Sequence, residues 1–109
     1  MSEAASEGLL VMTTTPNEEA ATTLARALVD ESLAACVQVV PGLRSFFRWE
    51  GQVQDEPELL LLIKTAPDRR EQVLERLGQL HPYTVPEAVT VRLDGGSPAY
   101  LGWLREVTR

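Results

Sequence analysis

The chain is 109 residues long, with 16 acidic against 10 basic side chains, a formal charge of −6 and one cysteine. Such a length makes one domain, which buries roughly 60–70% of the surface its unfolded form exposes, so a core forms without a structural metal or the disulfide that a lone Cys36 cannot supply. Nine of the ten cations are arginines scattered along the chain, which excludes the basic stripe that nucleic-acid binding needs, and no apolar run reaches the roughly 18 to 20 residues of a membrane span.

Residues 1–7 are small, polar and acidic, and read as a disordered tail; they lack the basic start and apolar stretch of a secretion signal, so the expected setting is intracellular. The domain proper is expected over residues 8–109. Leu9 to Met12 form a short apolar run that predicts a buried strand. Thr15-Pro16-Asn17-Glu18 then has the pattern of a capping box, with Thr15 as the cap and Pro16 at the first helical position. Ala21, Leu24, Ala25 and Leu28 recur at helical spacing and predict a helix to about Ser32.

Residues 35–48 and 52–65 predict two long strands joined by a turn at Glu50-Gly51. Proline removes a ladder donor, so Pro41 and Pro57 are expected at bulges or edge positions. A second helix follows Pro67-Asp68 and runs to Leu80 with Val73, Leu77 and Leu80 inward, stopped by His81-Pro82. Ala88 to Leu93 predict a last strand, and Ser97-Pro98 the start of a short terminal helix. The order is that of an α+β, ferredoxin-like βαββαβ domain with an antiparallel four-stranded sheet and an extra C-terminal helix.

The hairpin is too long for that domain. Each 14-residue strand extends about 45 Å at roughly 3.3 Å per residue, whereas a globule of this size has a diameter near 35 Å, from a radius of gyration of about 13 Å. Either the prolines fold the hairpin back on its own subunit, or it projects and needs its open edges covered. The most economical cover is a second copy of the chain, which predicts a homo-oligomer joined by strand pairing between subunits.

Six segments in sequence carry a family resemblance: Leu33-Ala34-Ala35-Cys36-Val37 with Val40-Pro41-Gly42, Arg48-Trp49-Glu50-Gly51, Lys64-Thr65, His81-Pro82-Tyr83-Thr84-Val85-Pro86-Glu87, and Pro98-Ala99-Tyr100-Leu101-Gly102-Trp103-Leu104. Together they resemble the CutA family of divalent cation tolerance proteins, over residues 8 to 108. The resemblance implies a tight homotrimer, a cytoplasmic location, a part in tolerance of copper and other divalent cations, structural similarity to the PII signalling proteins, and no enzymatic activity.

Copper favours thiolate, thioether and imidazole ligands, and the inventory is short. His81 and Cys36 are the candidates, with Thr13 and Leu80 standing where some family members carry a Cys and a second His. His81 has a second reading as a helix C-terminal cap, where the macrodipole favours an imidazolium by about 0.3–1 kcal/mol. Cys36 has one as a core residue among Ala35 and Val37. No cofactor is required, and Cu2+ or another divalent cation is expected to bind weakly.

The resemblance places Arg48, Trp49, Glu50, Lys64, Tyr83 and Glu87 around clefts between subunits. Lys64 follows five apolar residues, so its ammonium needs a partner such as Glu87, as an interface ion pair or as an anion-binding lysine. A small enzyme of acylphosphatase or monooxygenase kind is disfavoured. The stretch Asp94-Gly95-Gly96-Ser97 brings an acid where a phosphate-clasping Arg is needed, and no nucleophile is tied to His81 by a local motif. A PII-like sensor of a small anionic ligand rests on fold analogy, with no Gly-rich phosphate loop behind it.

Overall fold

The computed structural model describes residues 8–109, so the expectation for residues 1–7 lies outside the described residues. In chain order the elements are β1 (Leu9–Thr15), α1 (Glu18–Asp30), β2 (Cys36–Trp49), β3 (Gln52–Thr65), a 3-10 turn (Pro67–Arg69), α2 (Arg70–Leu80), β4 (Val89–Arg92) and α3 (Pro98–Glu106). The four strands form one antiparallel sheet in the order β2-β3-β1-β4. This is an α+β fold with a four-stranded sheet and three helices. No helix among the described residues is long and apolar enough to cross a membrane.

The helix starts correct one expectation. The cap of α1 is Asn17, not Thr15: the Asn17 backbone is extended and its side chain accepts a hydrogen bond from the Ala20 N–H at 2.9 Å. Thr15 is unavailable because it still belongs to β1, paired with Leu59, and its hydroxyl donates to the Asn17 carbonyl. Asparagine is among the strongest N-caps, so the local competition goes to the residue nearest the first free amides. The helix also ends earlier than Ser32. Ser32 has φ +61, the left-handed conformation, and the Leu33 amide reaches back to the Leu28 carbonyl, closing a Schellman motif. At the other end of the chain Ser97 caps α3 as predicted, accepting from the Tyr100 N–H.

The core lies between one face of the sheet and α1 with α2. Val11, Leu61 and Ile63 meet Leu24 and Leu28 of α1 and Val73 and Leu77 of α2, all fully buried, while Leu80 packs only at the margin. A smaller cluster of Ala35, Ala66 and Leu104 seats α3 against the end of the hairpin strands.

The hairpin keeps its length. The molecule measures 48 × 25 × 23 Å, so the strands project rather than fold back. Pro41 sits at the register shift between Val40 and Leu43, with Gly42 at φ +86 supplying the left-handed residue that the bulge needs. Pro57 pairs opposite Arg44 without a shift; it tolerates this because β1 ends at the Thr15–Leu59 pair, leaving no ladder on its other side. The tip is a two-residue turn with both Glu50 and Gly51 at positive φ, the geometry that matches strand twist. Arg44 grips Asp55 across the strands with two bonds of 2.8 and 2.7 Å.

From Gln52 to Glu58, therefore, β3 pairs only with β2, and β2 is an edge strand throughout. This distal half exposes Phe46 and Val53, 63% and 64% accessible, along with Phe47 and Trp49. Val89 and Val91 are exposed on the opposite edge strand, β4.

Candidate functional site

The segment that follows α2 is built around His81. Pro82 disfavours helical geometry in the residue before it, and His81 accordingly turns to an extended conformation as the C-cap of α2, its own amide still bonded to the Leu77 carbonyl. That turn carries the imidazole inward, to 8% accessibility. Its Nε2 lies 2.8 Å from the Thr14 carbonyl of β1, and its Nδ1 accepts the Tyr83 amide at 3.1 Å. A carbonyl requires a donor and an amide requires an acceptor, so the ring is the neutral tautomer with its proton on Nε2. The imidazolium expected from the helix macrodipole does not form. Burial lowers the His81 pKa and outweighs the Thr14 bond and the Glu58 charge, which act in the other direction.

The consequence for stability has a definite sign. Above about pH 6.5 the imidazole is neutral in both folded and unfolded chains; below it the unfolded chain takes up a proton that the buried ring resists. Stability is expected to fall as pH drops from 7 through the unfolded His pKa toward the lower folded one. Urea midpoints measured across that window should flatten in His81→Gln, and equal slopes in both proteins would contradict the buried neutral ring.

Tyr83 continues the chain of contacts. Its ring centroid is 4.9 Å from that of His81, and its hydroxyl donates to Glu58 Oε2 at 2.6 Å. Glu58 is a carboxylate only 6% accessible. Burial, then the bond to Glu58, then the charges of Glu58 and Glu56 raise the Tyr83 pKa well above the usual tyrosine value. The phenol remains a donor throughout the physiological range.

These residues close one side of an open cleft of about 1020 Å³, whose other side is the distal hairpin; Phe47, Trp49, Glu56, Glu58, Tyr83 and Glu87 are among its lining. Of the six residues assigned to a cleft, the subunit therefore gathers Trp49, Tyr83 and Glu87. Arg48 and Glu50 sit at the hairpin tip outside that lining. Lys64 is elsewhere: it pairs with Leu10 and Cys36 at the far end of β3, six residues from Glu58 and hence about 20 Å along the strand. The expected Lys64–Glu87 ion pair is absent within the subunit. The Lys64 ammonium instead stands 5.9 Å from the Tyr100 ring centroid, where a cation–π contact takes the place of a carboxylate.

The two metal candidates are also apart. Cys36 is half-buried and paired with Lys64, whereas His81 reaches β1 at Thr14, opposite Leu60. Four β3 positions separate those levels, about 13 Å. Within one subunit Cys36 and His81 cannot bind the same ion, and among the described residues no three His, Cys, Asp or Glu side chains converge. Thr13 stays buried with its hydroxyl unpaired. Glu58 and Glu56 were not singled out from sequence. Their only signal is position, Glu58 being a carboxylate directly before the run Leu59 to Ile63.

A model of the CutA1 divalent ion tolerance protein family matches residues 9–107. The protein of Thermus thermophilus named divalent-cation tolerance protein CutA is 52% identical over 99 residues, which cover 91% of this chain and 96% of that one. A chloroplastic CutA protein of Arabidopsis thaliana is 46% identical over 101 residues, 93% of this chain but 56% of the longer plant protein. Among solved structures, CutA1 from Oryza sativa superposes with a TM-score of 0.92 at 40% identity, covering 98% of each chain. The Thermus thermophilus Cut A1 structure gives 0.90 at 51% identity, covering 94% of this chain and 99% of that one.

Proposed function

The chain belongs to the CutA1 divalent ion tolerance family, and from that premise we propose that it serves in tolerance of divalent cations, copper among them, as a non-catalytic cytoplasmic homotrimer of ferredoxin-like subunits. The observation that carries the proposal is the projecting hairpin of a molecule 48 Å long, with its unpaired edges and exposed Phe46, Phe47, Trp49 and Val53. An edge of this length and apolarity invites aggregation unless it is paired, and closed pairing among identical chains leaves no edge free. The cleft beside the hairpin then becomes a boundary between subunits, with Trp49 and Tyr83 as aromatic anchors.

The non-catalytic reading is supported by the state of His81, the one imidazole in the chain, both of whose nitrogens are engaged by backbone groups. The same engagement bears on copper. Ligation by His81 would require breaking the bond to Thr14 or to Tyr83, each part of a buried network. Three chains at −6 each bring the trimer to a formal −18, and such a field gathers divalent cations without a dedicated cage. A PII-like sensor holding a small anion in the cleft is the weaker reading, since Glu56, Glu58 and Glu87 line it.

Calorimetric titration with Cu2+ is expected to show weak binding that declines with ionic strength and is unchanged in His81→Ala. A tight site of defined stoichiometry, lost in that variant, would overturn this part of the proposal. Copper sensitivity of cells lacking the protein tests the physiological role.

A further inference from the structure

The helices α1 and α2 cover the face of the sheet that carries Val11, Leu61 and Ile63. Side chains alternate along a strand, so Leu10 and Met12 of β1, Leu60 and Leu62 of β3, and Val89 and Val91 of β4 share the other face. None of these six belongs to the buried core. A continuous apolar face of that kind marks an interaction site.

Its two ends carry opposite charge. The alternation along β3 places Lys64 at one end and Glu58 and Glu56 at the other, all on this face. At the acidic end is the cleft already described, where Glu56, Glu58 and Glu87 gather and no lysine or arginine is found among the lining. Like charges on one wall repel each other, and among the described residues no three such side chains converge as a metal site requires. Glu58 is held by Tyr83, whereas Glu56 and Glu87 are exposed and make no ion pair among the described residues.

Lys64 has the converse need. It is the only lysine in the chain, half-buried between Leu10 and Cys36, and it too makes no ion pair among the described residues. Its contact with the Tyr100 ring, at 5.9 Å, lies near the outer limit of about 6 Å for a cation–π interaction. An ammonium among apolar neighbours calls for a carboxylate, and about 20 Å of strand separates it from Glu58 of its own chain. Of the hairpin's arginines, Arg44 is held by Asp55, and Arg48, paired with Val53, lies on the opposite face.

A face that is positive at one end, negative at the other and apolar between is complementary to a copy of itself displaced along it. Repeated head-to-tail contacts of that kind close into a ring. We propose that Lys64 of one chain enters the acidic cleft of the next and pairs there with Glu56 and Glu87, so that each cleft is completed by a side chain of a neighbouring copy. This rests on the trimer reading and adds to it the residue that crosses the boundary and the carboxylates that receive it.

The test compares the native assembly with Lys64→Met, with the pair Glu56→Gln and Glu87→Gln, and with all three changes together, following dissociation on dilution in urea by light scattering. Lys64→Met is expected to raise the concentration at which the assembly falls apart by about tenfold or more, and to cost nothing further once the cleft carboxylates are neutralised. Lys64→Arg, which keeps the charge, should keep the assembly, as should Arg26→Met on the exposed face of α1. Because Lys64 is the only lysine, zero-length carbodiimide coupling gives a second readout. Isotopically labelled and unlabelled chains, mixed and reassembled, should yield peptides that join Lys64 of one to Glu56 or Glu87 of the other. A trimer that Lys64→Met leaves unchanged, or weakens equally with and without the cleft carboxylates, overturns the proposal while the trimer stands; so does coupling of Lys64 only to carboxylates outside the cleft. A native particle of one chain mass overturns both readings.

Discussion

Replacing Phe47 and Trp49 together by glutamate is expected to take the assembly apart, leaving particles of one chain mass. The two side chains are two residues apart on β2 and so share a face, both are exposed in the single subunit, and both line the cleft that also holds Glu56 and Glu87. If a neighbouring copy covers them, each contributes about 1.5–3 kcal/mol of apolar burial per interface. The substitutions remove that burial and place carboxylates in an interface already lined by carboxylates, where a charge left unpaired costs several kcal/mol more. Both residues lie outside the core between the sheet and the helices, so the separated subunits should keep their native far-ultraviolet spectrum. A double variant with undiminished mass would show that the distal hairpin is not where the copies meet.

The second large effect is expected at Tyr83. Tyr83→Phe removes the only donor seen on Glu58 among the described residues, a carboxylate 6% accessible, and should lower the unfolding free energy by about 1–3 kcal/mol, the usual cost of leaving a buried acceptor unsatisfied. Removing both partners is milder than removing one. The double variant Tyr83→Phe, Glu58→Leu should therefore recover most of the loss, which separates the bond from the burial of the ring. A pH dependence accompanies it. The raised Tyr83 pKa means that its contribution is complete below the unfolded value near 10 and is lost as pH rises past it, so the alkaline decline of the native protein should be blunted in Tyr83→Phe. Urea denaturation of the four proteins at pH 7 and pH 10.5 measures both effects, and a native-like Tyr83→Phe would contradict the buried Glu58–Tyr83 pair.

What was legible in the sequence was whatever local chemistry decides. The run from Leu59 to Thr65 can only be a strand, Gly51 after Glu50 marks a tight turn, Pro82 ends α2 at Leu80, and Ser97-Pro98 opens α3, each by a steric or capping rule acting within a few residues. The hairpin's mismatch with its domain followed from two lengths. The missed details are those in which distant segments compete for one group. Thr15 fits the capping pattern, but its pairing with Leu59 across the sheet keeps it in β1 and leaves the cap to Asn17.

Lys64 was assigned to Glu87 by charge alone. Within one subunit the register sets Lys64 beside Leu10 and Cys36, away from the cleft that Glu87 lines, so a pair between them has to form across subunits, and register cannot be read from either segment in isolation. His81 was read from its helix, which favours a cation, but β1 supplies the burial and the Thr14 carbonyl that keep it neutral. Glu58 shares this difficulty. It is an ordinary charged side chain whose significance lies in having been buried by elements far away in the chain.

In the proposed trimer the projecting hairpin of each chain is covered by two further copies of the same chain. Light scattering coupled to size exclusion measures this directly, since it reads mass without reference to shape and the 48 Å long axis would mislead a column calibration. A single species of three chain masses that persists on dilution is expected. A stable, monodisperse particle of one chain mass, with the aromatic hairpin left in water, would contradict it.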